Sequence, residues 1–337
     1  MRERTISVVI TGINCANCLS KLLESLSKQR VKPLEIIYID GGSSDDSAKI
    51  AREFSCKVIV DSDAKTPAKG RNIGLKISKG MFVLFLDSDC IAPDDLLEKY
   101  TFHLQLVSGN IAGIGSRYEY SESDNDYVNA FSRALKCFLV NGGSPQFNLW
   151  KKIKKVNRLP GGNSCYKRDI LLKLNGFRED LKFCEEYELG RRLRKLGYRL
   201  LYVPELFVFH RSFPSILAAL KKIYSYGFWR GFYMITEGLI DFPQLIILLV
   251  LFLLISLLSV GFEAVVETIL LTYLLGLLFN VISSYKKNLA IRNIILTFFM
   301  AVLIQITYIS SLVIGVIRGI LSTLICRFAK GWQRKDS

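Results

Sequence analysis

The chain has 337 residues, enough for one large domain or two ordinary ones, and 50% of them are hydrophobic. The apolar excess is concentrated after about Pro243, which predicts a globular part followed by a membrane part. A formal net charge of +15 suits nucleic acid, anionic lipid or phosphorylated substrates, and the membrane segments favour the last two. The single C-x-x-C at Cys15 and Cys18 has no second pair at zinc-site spacing, which disfavours a zinc site.

Short strands and helices alternate over the first ninety or so residues. Apolar runs at residues 6–10, 35–39, 57–60 and 81–86 predict strands, and the segments between them have helical periodicity or helix-capping residues. This alternation predicts an α/β fold with a mostly parallel, doubly wound sheet. The first run is too short for a signal-peptide core, so we expect a cytoplasmic amino-terminal part.

Acidic residues follow three of these strands, at Asp40, Asp61 and Asp87. Ligands of open α/β sheets bind beyond the carboxyl ends of the strands, so we expect these acids at one edge of the sheet. Asp87 and Asp89 suit Mg²⁺ or Mn²⁺, although Asp and Ser also favour a simple strand-end turn. Neither a G-x-G-x-x-G sequence after the first strand nor a Walker A sequence is present, which disfavours NAD-type Rossmann enzymes and P-loop proteins.

The next 120 residues are less regular. A further strand is predicted at 110–115, two more at 200–204 and 206–209, and a helix from Arg168, whereas residues 119–155 fit no clear pattern. Between these lie Gly161-Gly162-Asn163 and the acidic run Glu185-Glu186-Tyr187-Glu188-Leu189, and His210 follows. An acidic run of this kind also suits the first turn of a helix, and a lone histidine is often a packing residue.

Five of these segments, in this order, resemble those of the family 2 glycosyltransferases, inverting enzymes of the GT-A fold, over residues 7–211. The matching features are the strand end at Asp40, Ala68-Lys69-Gly70-Arg71-Asn72-Ile73-Gly74, Asp87-Ser88-Asp89, Gly161-Gly162-Asn163 and the acidic run. The family often has Asp where Glu186 stands, so the base position carries a longer side chain here.

The resemblance implies roles for individual residues. Glu186 is expected to be the catalytic base, and Mg²⁺ or Mn²⁺ is the expected cofactor. The implied sites are nucleotide-sugar binding by Thr11, Asn14, Asp40, Lys69, Arg71 and Asp87, acceptor binding by Gly161, Gly162, Asn163 and Glu185, and metal binding by Asp87, Asp89 and His210.

The carboxyl-terminal part has the composition of a membrane anchor. Residues 214–241 combine a helical apolar stripe with Lys221, Lys222 and aromatic residues, which predicts a helix in the lipid headgroup layer or packed on the enzyme domain. Residues 245–262, 264–283 and 294–317 are each long enough to span a bilayer. Two crossings keep the basic residues around 285–292 and the basic tail on the cytoplasmic side, whereas a third places the tail outside.

The predicted domains are therefore a GT-A domain (1–213), an amphipathic helix (214–241), two or three transmembrane helices (242–321) and a basic tail (322–337). The expected protein is a multi-pass enzyme of the cell membrane with a cytoplasmic catalytic domain. It would transfer a sugar from a nucleotide sugar to a membrane-associated, for example polyprenyl-linked, acceptor, with no nucleic-acid partner. A processive polysaccharide synthase and a non-catalytic nucleotide-binding scaffold are the alternatives.

Overall fold

The central sheet carries apolar side chains on both of its faces. A computed structural model describes residues 4–240, 242–284 and 290–333, with side chains to residue 326. Val8 and Ile10 pack in one core and Val9 in the other, because successive side chains of a strand point to opposite faces. The strands are β1 Ile6–Gly12, β2 Glu35–Asp40, β3 Lys57–Val60, β4 Phe82–Asp87, β5 Cys90–Ile91, β6 Ile111–Gly115, β7 Tyr118–Tyr120, β8 Lys154–Val156, β9 Asn163–Lys167, β10 Arg199–Tyr202 and β11 Val208–His210.

Helices pack on both faces of this sheet, the first and fourth on one and the third, seventh and eighth on the other. Leu19, Leu22 and Leu26 of the first helix are buried, as their helical spacing predicts. The helices are α1 Ala16–Ser27, α2 Ser47–Glu53, α3 Pro67–Ile77, α4 Leu96–His103, α5 Asp126–Lys136, α6 Phe138–Asn141, α7 Arg168–Lys173, α8 Glu185–Lys195, α9 Ile216–Thr236, α10 Phe242–Ser259, α11 Glu263–Ser283 and α12 Ile291–Gln333.

The strand order of the large sheet is β3-β2-β1-β4-β9-β6-β10-β8. Strands β3, β2, β1 and β4 are parallel, whereas β9 runs antiparallel to both β4 and β6. Thr11 pairs with Asp87 and Gly12 with Asp40, so the expected acids do lie at one edge. The mostly parallel α/β sheet predicted from the sequence is confirmed.

A smaller sheet, β5-β11-β7, stands beside this edge. It places Cys90 opposite His210, and His210 opposite Tyr120. The strand expected at 206–209 is shifted, because Pro204–Leu206 forms a short 3₁₀ turn before β11 begins. This turn follows the backbone restriction of proline at the start of a helical segment.

The chain divides into two compact units, Met1–Ser121 with Ser144–Arg211, and Glu122–Gly143 with Ser212–Ser337. Residues 122–143, which lie inside the predicted 1–213 domain, group with the carboxyl-terminal helices in this division, and the predicted domain bounds stay a prediction. The reason for this grouping is the apolar face of α5, which includes Val128, Phe131 and Leu135 and packs on α12.

The second unit is helical. By length and composition, α10, α11 and residues Ile291–Cys326 of α12 are apolar enough to cross a membrane. Val260-Gly261-Phe262 connects α10 to α11, whereas the sequence predicted a connection of about one residue at Glu263. The expected tail boundary at 321 falls inside α12, which continues as one helix. Most of the basic loop expected at 285–292 lies outside the described residues.

Candidate functional site

The carboxyl end of β2 places an acid in a buried position. Asp40 is 1% exposed, and its Oδ1 accepts hydrogen bonds from the backbone N–H groups of Gly42 (2.8 Å) and Ser43 (2.6 Å). Its Oδ2 is buried and has no hydrogen-bond partner among the described residues. A buried carboxylate oxygen without a donor is unfavourable, so this atom is suited to accept from a ligand's hydroxyl or N–H group.

Asn14 fixes the loop after β1 against the loop after β2. Its backbone is left-handed (φ 51°), its N–H donates to Ser43 Oγ at 2.9 Å, and its Oδ1 accepts from the Ser44 N–H at 2.8 Å. Thr11 packs on α3, where a Cβ added at Gly70 would meet Thr11 Cγ2 at 2.8 Å. Asn14 is thus engaged in shaping the edge, and its expected contact with a donor stays a prediction.

Asp87 ends the buried strand β4 and is held from two sides. Its Oδ1 lies 3.3 Å from Arg71 Nη2, and its Oδ2 accepts from the Tyr118 hydroxyl at 3.2 Å. The same Tyr118 oxygen accepts from the Gly162 N–H at 2.9 Å. Tyr118 was not predicted as a site residue. No strand was predicted at residues 118–120, and no local pattern could indicate that the Tyr118 hydroxyl reaches Asp87 at the end of β4.

Arg71 is a buried cation that joins two motifs. It is 4% exposed, and its Nη1 lies 2.9 Å from Glu185 Oε1 at the start of α8. Burial lowers the pKa of Arg71, but the carboxylates of Asp87, Glu185 and Glu186 outweigh burial and raise it. Arg71 was expected to contact a diphosphate. The guanidinium is enclosed and paired with two carboxylates, and its contact with a diphosphate stays a prediction.

The loop before β9 packs tightly on these groups. A Cβ at Gly162 would lie 1.9 Å from Asp87 Cγ, and one at Gly161 would lie 2.5 Å from both Arg71 Nη2 and Glu186 Oε1. Only glycine fits so close an approach, which is a structural reason for the pair. Their expected acceptor role stays a prediction.

Asn163, which was expected to line the acceptor side, has its side chain enclosed by protein. It is fully buried, and its Oδ1 accepts from the Tyr100 hydroxyl at 2.8 Å. Its Nδ2 donates to the carbonyls of Leu206 (2.7 Å) and Arg117 (3.3 Å). The amide is therefore satisfied within the protein by segments that lead into β7 and β11, and the expected acceptor role of Asn163 stays a prediction.

A possible metal site lies beside this edge. Among the described residues, Asp89, Cys90 and His210 bring one ligand atom each within 4.8 Å of one another. His210 Nε2 is 3.2 Å from Asp89 Oδ1, and its Nδ1 is 2.9 Å from the Arg211 carbonyl oxygen. A backbone acceptor at Nδ1 fixes that nitrogen as the donor, which leaves Nε2 directed at Asp89. Asp87, also expected as a ligand, is outside this group and pairs with Arg71 instead.

The rings around His210 limit its movement. Tyr118 and Tyr120 lie 4.9 and 5.4 Å from it between ring centroids, and the histidine is buried. Cys90 is fully buried opposite His210 in the small sheet and was not singled out from the sequence. The histidine is thus packed among aromatic rings and placed beside Asp89, and its role as a metal ligand stays a prediction.

The three acids at the start of α8 differ in their surroundings. Glu185 is buried, and desolvation with the nearby Glu186 charge raises its pKa to about 7, although Arg71 opposes the shift. Glu188 points elsewhere, and its carboxylate accepts from Arg192 Nε at 2.8 and 3.0 Å. Glu186 is partly exposed and lies against Gly161. Among these acids, Glu186 is the carboxylate with access to solvent and no ion pair in the described structure.

Lys69 stands apart from these contacts. Its Nζ lies 3.9 Å from Asp63 Oδ2 in the loop after β3, at the N-terminal end of α3. No described contact joins it to Asp87 or Asp89. Its expected role in donor binding therefore stays a prediction.

Comparisons with known proteins agree on one family. The family model "Glycosyl transferase family 2" matches residues 7–174. The chain is 30% identical over 127 residues to glycosyltransferase GlyG of Streptococcus pneumoniae, covering 36% of this chain and 42% of that protein. It is 36% identical over 87 residues to the Escherichia coli UDP-Glc:alpha-D-GlcNAc-diphosphoundecaprenol beta-1,3-glucosyltransferase WfaP, covering 25% and 35%. The chain thus spans less than half the length of either relative.

A solved structure extends the similarity to most of the chain. The mannosyltransferase PcManGT from Pyrobaculum calidifontis, in complex with GDP-Man and Mn²⁺, matches with a TM-score of 0.53 over 94% of this chain and 86% of that one. Sequence identity is 14%, so the match establishes a shared fold.

Proposed function

The chain belongs to glycosyl transferase family 2 through residues 7–174, and from this premise we propose that it transfers a sugar from a nucleotide donor to a lipid-linked acceptor. Its fold is GT-A, as the family, the sheet and the structural neighbour agree. The observation that carries the proposal is Arg71, which bridges Asp87 at the end of β4 and Glu185 at the start of α8. This bridge supports a single site formed by the strand-end acids and the acidic first turn.

Asp40 is suited to the nucleoside part of the donor. Its unpartnered Oδ2 can accept from a ribose hydroxyl or a base N–H, and its negative charge would repel the phosphates. The backbone N–H groups of Gly42 and Ser43 hold this carboxylate in place through its Oδ1, and the Asn14 N–H fixes their turn by donating to Ser43 Oγ. The donor base would therefore lie at the end of β2.

Asp89 and His210 are suited to hold a divalent cation, with Asp87 beside them. A carboxylate oxygen and an imidazole nitrogen 3.2 Å apart fit the coordination chemistry of Mn²⁺, and carboxylates also suit Mg²⁺. A bound cation would neutralise the negative charge of the departing diphosphate. The chain's own contribution is to orient the ligands, through the Arg211 carbonyl for His210, and through Arg71 and Tyr118 for Asp87.

Glu186 is suited to act as the general base. Its carboxylate would take the proton of the acceptor hydroxyl as that oxygen attacks the anomeric carbon, a contribution of about 10²–10⁴ in rate. Attack from the face opposite the leaving diphosphate inverts the anomeric configuration. Glu185 would orient Arg71 rather than react, because it is buried and hydrogen-bonded to Arg71.

The apolar helices support a lipid-linked acceptor. A protein anchored in the bilayer meets a lipid-linked partner at a raised effective concentration. The name of the relative WfaP specifies a diphosphoundecaprenol acceptor, which agrees with this class. The proposed location is the cell membrane, with the catalytic unit on the cytoplasmic face, where nucleotide sugars are made.

The decisive experiment uses the full chain in detergent. Its melting temperature is measured with Mn²⁺ and a panel of UDP-, GDP- and dTDP-sugars, because binding to the folded state raises the melting temperature. The stabilising donor is then supplied with polyprenyl-diphosphate-linked sugars, and the product is identified by mass spectrometry. Metal-dependent stabilisation followed by transfer is expected. Stabilisation without transfer to any lipid-linked acceptor would contradict the acceptor class, and no stabilisation by any donor would contradict the function.

A further inference from the structure

The helix α12 is too long for a simple membrane crossing. Its 43 residues extend over about 64 Å at 1.5 Å per residue, whereas the hydrocarbon core is about 30 Å thick. Composition alone makes residues Ile291–Cys326 a candidate span. The elements that pack on α12 within the same unit limit the part of it that could lie in hydrocarbon.

The first third of α12 runs beside α5 and α6. Asp126 Oδ2 lies 2.9 Å from Arg292 Nη2, and Arg133 Nε donates to Thr297 Oγ1 at 3.4 Å. Further along, Gln305 Nε2 donates to the Leu139 carbonyl at 2.9 Å. If residues 292–305 entered hydrocarbon, Arg133 would enter with them, and the cost of a buried cation there is several kcal/mol.

The next part of α12 runs beside α9 in close backbone contact. A Cβ at Gly227 would meet the Tyr308 carbonyl oxygen at 2.6 Å, and one at Gly231 would meet the Leu312 carbonyl oxygen at 2.1 Å. From the other side, a Cβ at Gly315 would meet the Phe228 carbonyl oxygen at 2.0 Å. The two G-x-x-x-G sequences, 227–231 and 315–319, therefore fit together, as small residues do in closely packed helix pairs.

The helix α9 cannot accompany α12 across a bilayer. It carries Lys221, Lys222 and Arg230, and it ends at Thr236, whose neighbour Ile235 packs on Gly319 of α12. The chain then leaves the helix at Glu237 and forms a non-helical connection. An acid and a non-helical backbone would thus lie next to residue 319, which is unfavourable inside hydrocarbon.

These neighbours leave too short a part of α12 free to span the hydrocarbon core of a bilayer. Beyond Gly319, no charged or non-helical neighbour of this kind is described beside residues 320–326. These are the last residues of α12 with described side chains, and they extend about 10 Å. We propose that α12 lies along the membrane surface, and that the α10–α11 hairpin forms the two crossings within the described chain. The partner of α12 is then the acyl layer of one leaflet.

The exposed side of α12 fits this partner. A stripe of large apolar side chains runs along the helix face opposite the buried Thr297, Ala301, Ile304, Ser311 and Leu312. The stripe extends from residue 295 to residue 324, about 44 Å, which exceeds the hydrocarbon thickness. Its members are Ile295, Phe299, Ile306, Ile314, Ile317, Ile320, Leu321 and Leu324. An apolar stripe with basic flanks is typical of a helix that lies in the membrane interface.

The two exposed membrane helices contrast with α12. In the candidate windows of α10 and α11, 6% and 17% of the residues are buried inside the protein, against 33% for α12. The hairpin therefore leaves most of its surface free for lipid and contacts α6 and α12 at few residues, whereas α12 offers one stripe. A surface placement also agrees with the positive-inside rule, because the sequence is basic both before residue 293 and after residue 326.

Cysteine labelling tests the proposal on the full chain in native membranes. Cys326 is exposed, whereas the other cysteines are buried or partly buried. A membrane-impermeant maleimide is applied to intact cells and to inverted vesicles. Two exposed positions serve as reference sites, Phe242→Cys at the start of α10 and Val260→Cys just after its end. Each is made in the Cys326→Ser variant, and that variant alone gives the background labelling.

The expected result is that Cys326 and the Phe242→Cys site react from one side, and the Val260→Cys site reacts from the other. Reaction of Cys326 from the Val260→Cys side would overturn the proposal, because α12 would then cross. Reaction of both reference sites from one side would also overturn it, because the hairpin would not cross.

A depth measurement gives an independent result. Spin labels at Ile295→Cys, Ile306→Cys and Ile317→Cys, in the Cys326→Ser background and in vesicles, are expected to lie at similar depths, because all three stand on the exposed stripe. A helix that crosses would place them over a range of about 33 Å along its axis, with different accessibility to oxygen and to an aqueous quencher. A depth profile that changes steeply from 295 to 317 would contradict the proposal. These results do not depend on any enzymatic activity.

Discussion

The two units of the chain use apolar residues in opposite ways. In the α/β unit, the apolar side chains of β1, β4 and α1 are turned inwards, and acids are left at one edge of the sheet. In the helical unit, large side chains such as Phe252 and Ile255 of α10 are turned outwards. Apolar side chains therefore build a core in the first unit, and in the second they form an exposed surface that is apolar enough to contact lipid.

The two units also differ in the groups through which their segments meet. In the α/β unit, Arg71, Asp87 and Glu185 concentrate charge in a partly buried site. In the helical unit, α9 and α12 meet through glycine backbones. We therefore expect substitutions in the first unit to change chemistry and those in the second to change assembly.

Asp89→Ala tests the chemistry of the first unit with the largest expected effect. Loss of one proposed cation ligand is expected to lower kcat about 10³-fold, equivalent to several kcal/mol of charge stabilisation. The melting temperature without ligand should change little, because the Asp89 side chain is partly exposed. Asp94→Ala, an exposed acid on the following loop, is the control. Full activity in Asp89→Ala would exclude its proposed role.

Glu186 and Glu188 separate catalysis from stability within one helical turn. Glu186→Gln is expected to lower kcat about 10²–10⁴-fold with little change in melting temperature. Glu188→Gln should instead lower the melting temperature, because its buried carboxylate accepts two hydrogen bonds from Arg192. The measurements are steady-state kinetics and thermal denaturation. An unchanged kcat in Glu186→Gln would assign the base elsewhere.

Arg71→Met removes the bridge between the two motifs. It is expected to destabilise the fold by about 3–5 kcal/mol, because Asp87 and Glu185 lose the cation between them. The double variant Arg71→Met, Glu185→Gln should recover part of that stability, since one unpaired charge is removed. The comparison is made by chemical denaturation. Additive effects of the two substitutions would show that the pair is not coupled.

Gly231→Leu probes assembly of the helical unit. A larger side chain is expected to destabilise the α9–α12 contact by about 1–3 kcal/mol, because it would overlap the Leu312 backbone. Gly276→Leu on α11 is the matched control, since no heavy atom lies within 4 Å of its added Cβ. Protease resistance in detergent reports the difference. Equal behaviour of the two variants would contradict the packing.

We expect the protonation of Glu185 to have a smaller effect, which is a dependence of folding stability on pH. Its pKa is raised from 4.5 to about 7 in the folded chain, chiefly by burial. The stabilisation from its bound proton is complete below pH 4.5 and is lost as the pH rises towards 7. Relative to Glu185→Gln, the wild type should therefore lose stability between these pH values. Parallel melting curves of the two proteins against pH would contradict the raised pKa.

The sequence predicted most of the α/β unit from local patterns. Strand β3 was predicted with its observed bounds, and Thr66-Pro67 marked the start of α3, where Thr66 Oγ1 accepts from the Lys69 N–H. Residues 119–155 could not be assigned. They contain α5, whose apolar face is covered by α12, more than 150 residues further along the chain.

Individual roles were harder to predict than elements. Arg71 and Glu185 are 114 residues apart, and no local pattern reveals that they meet. Asparagine is a residue type common in loops, yet three hydrogen bonds hold the Asn163 side chain inside the protein. Tyr118 was missed because its importance comes from a hydrogen bond to Asp87, which lies 31 residues away and in the other sheet.

The amino-acid sequence by itself determined the family, the alternating elements and the acids at the strand ends, because these depend on short-range spacing. Tertiary structure decided which of those polar residues are enclosed by partners and which remain accessible to a ligand. It also decided which apolar helices are flanked by charged neighbours. The physical reason is that burial and pairing arise from contacts between segments that are distant in the chain, and these contacts set the cost of every charge.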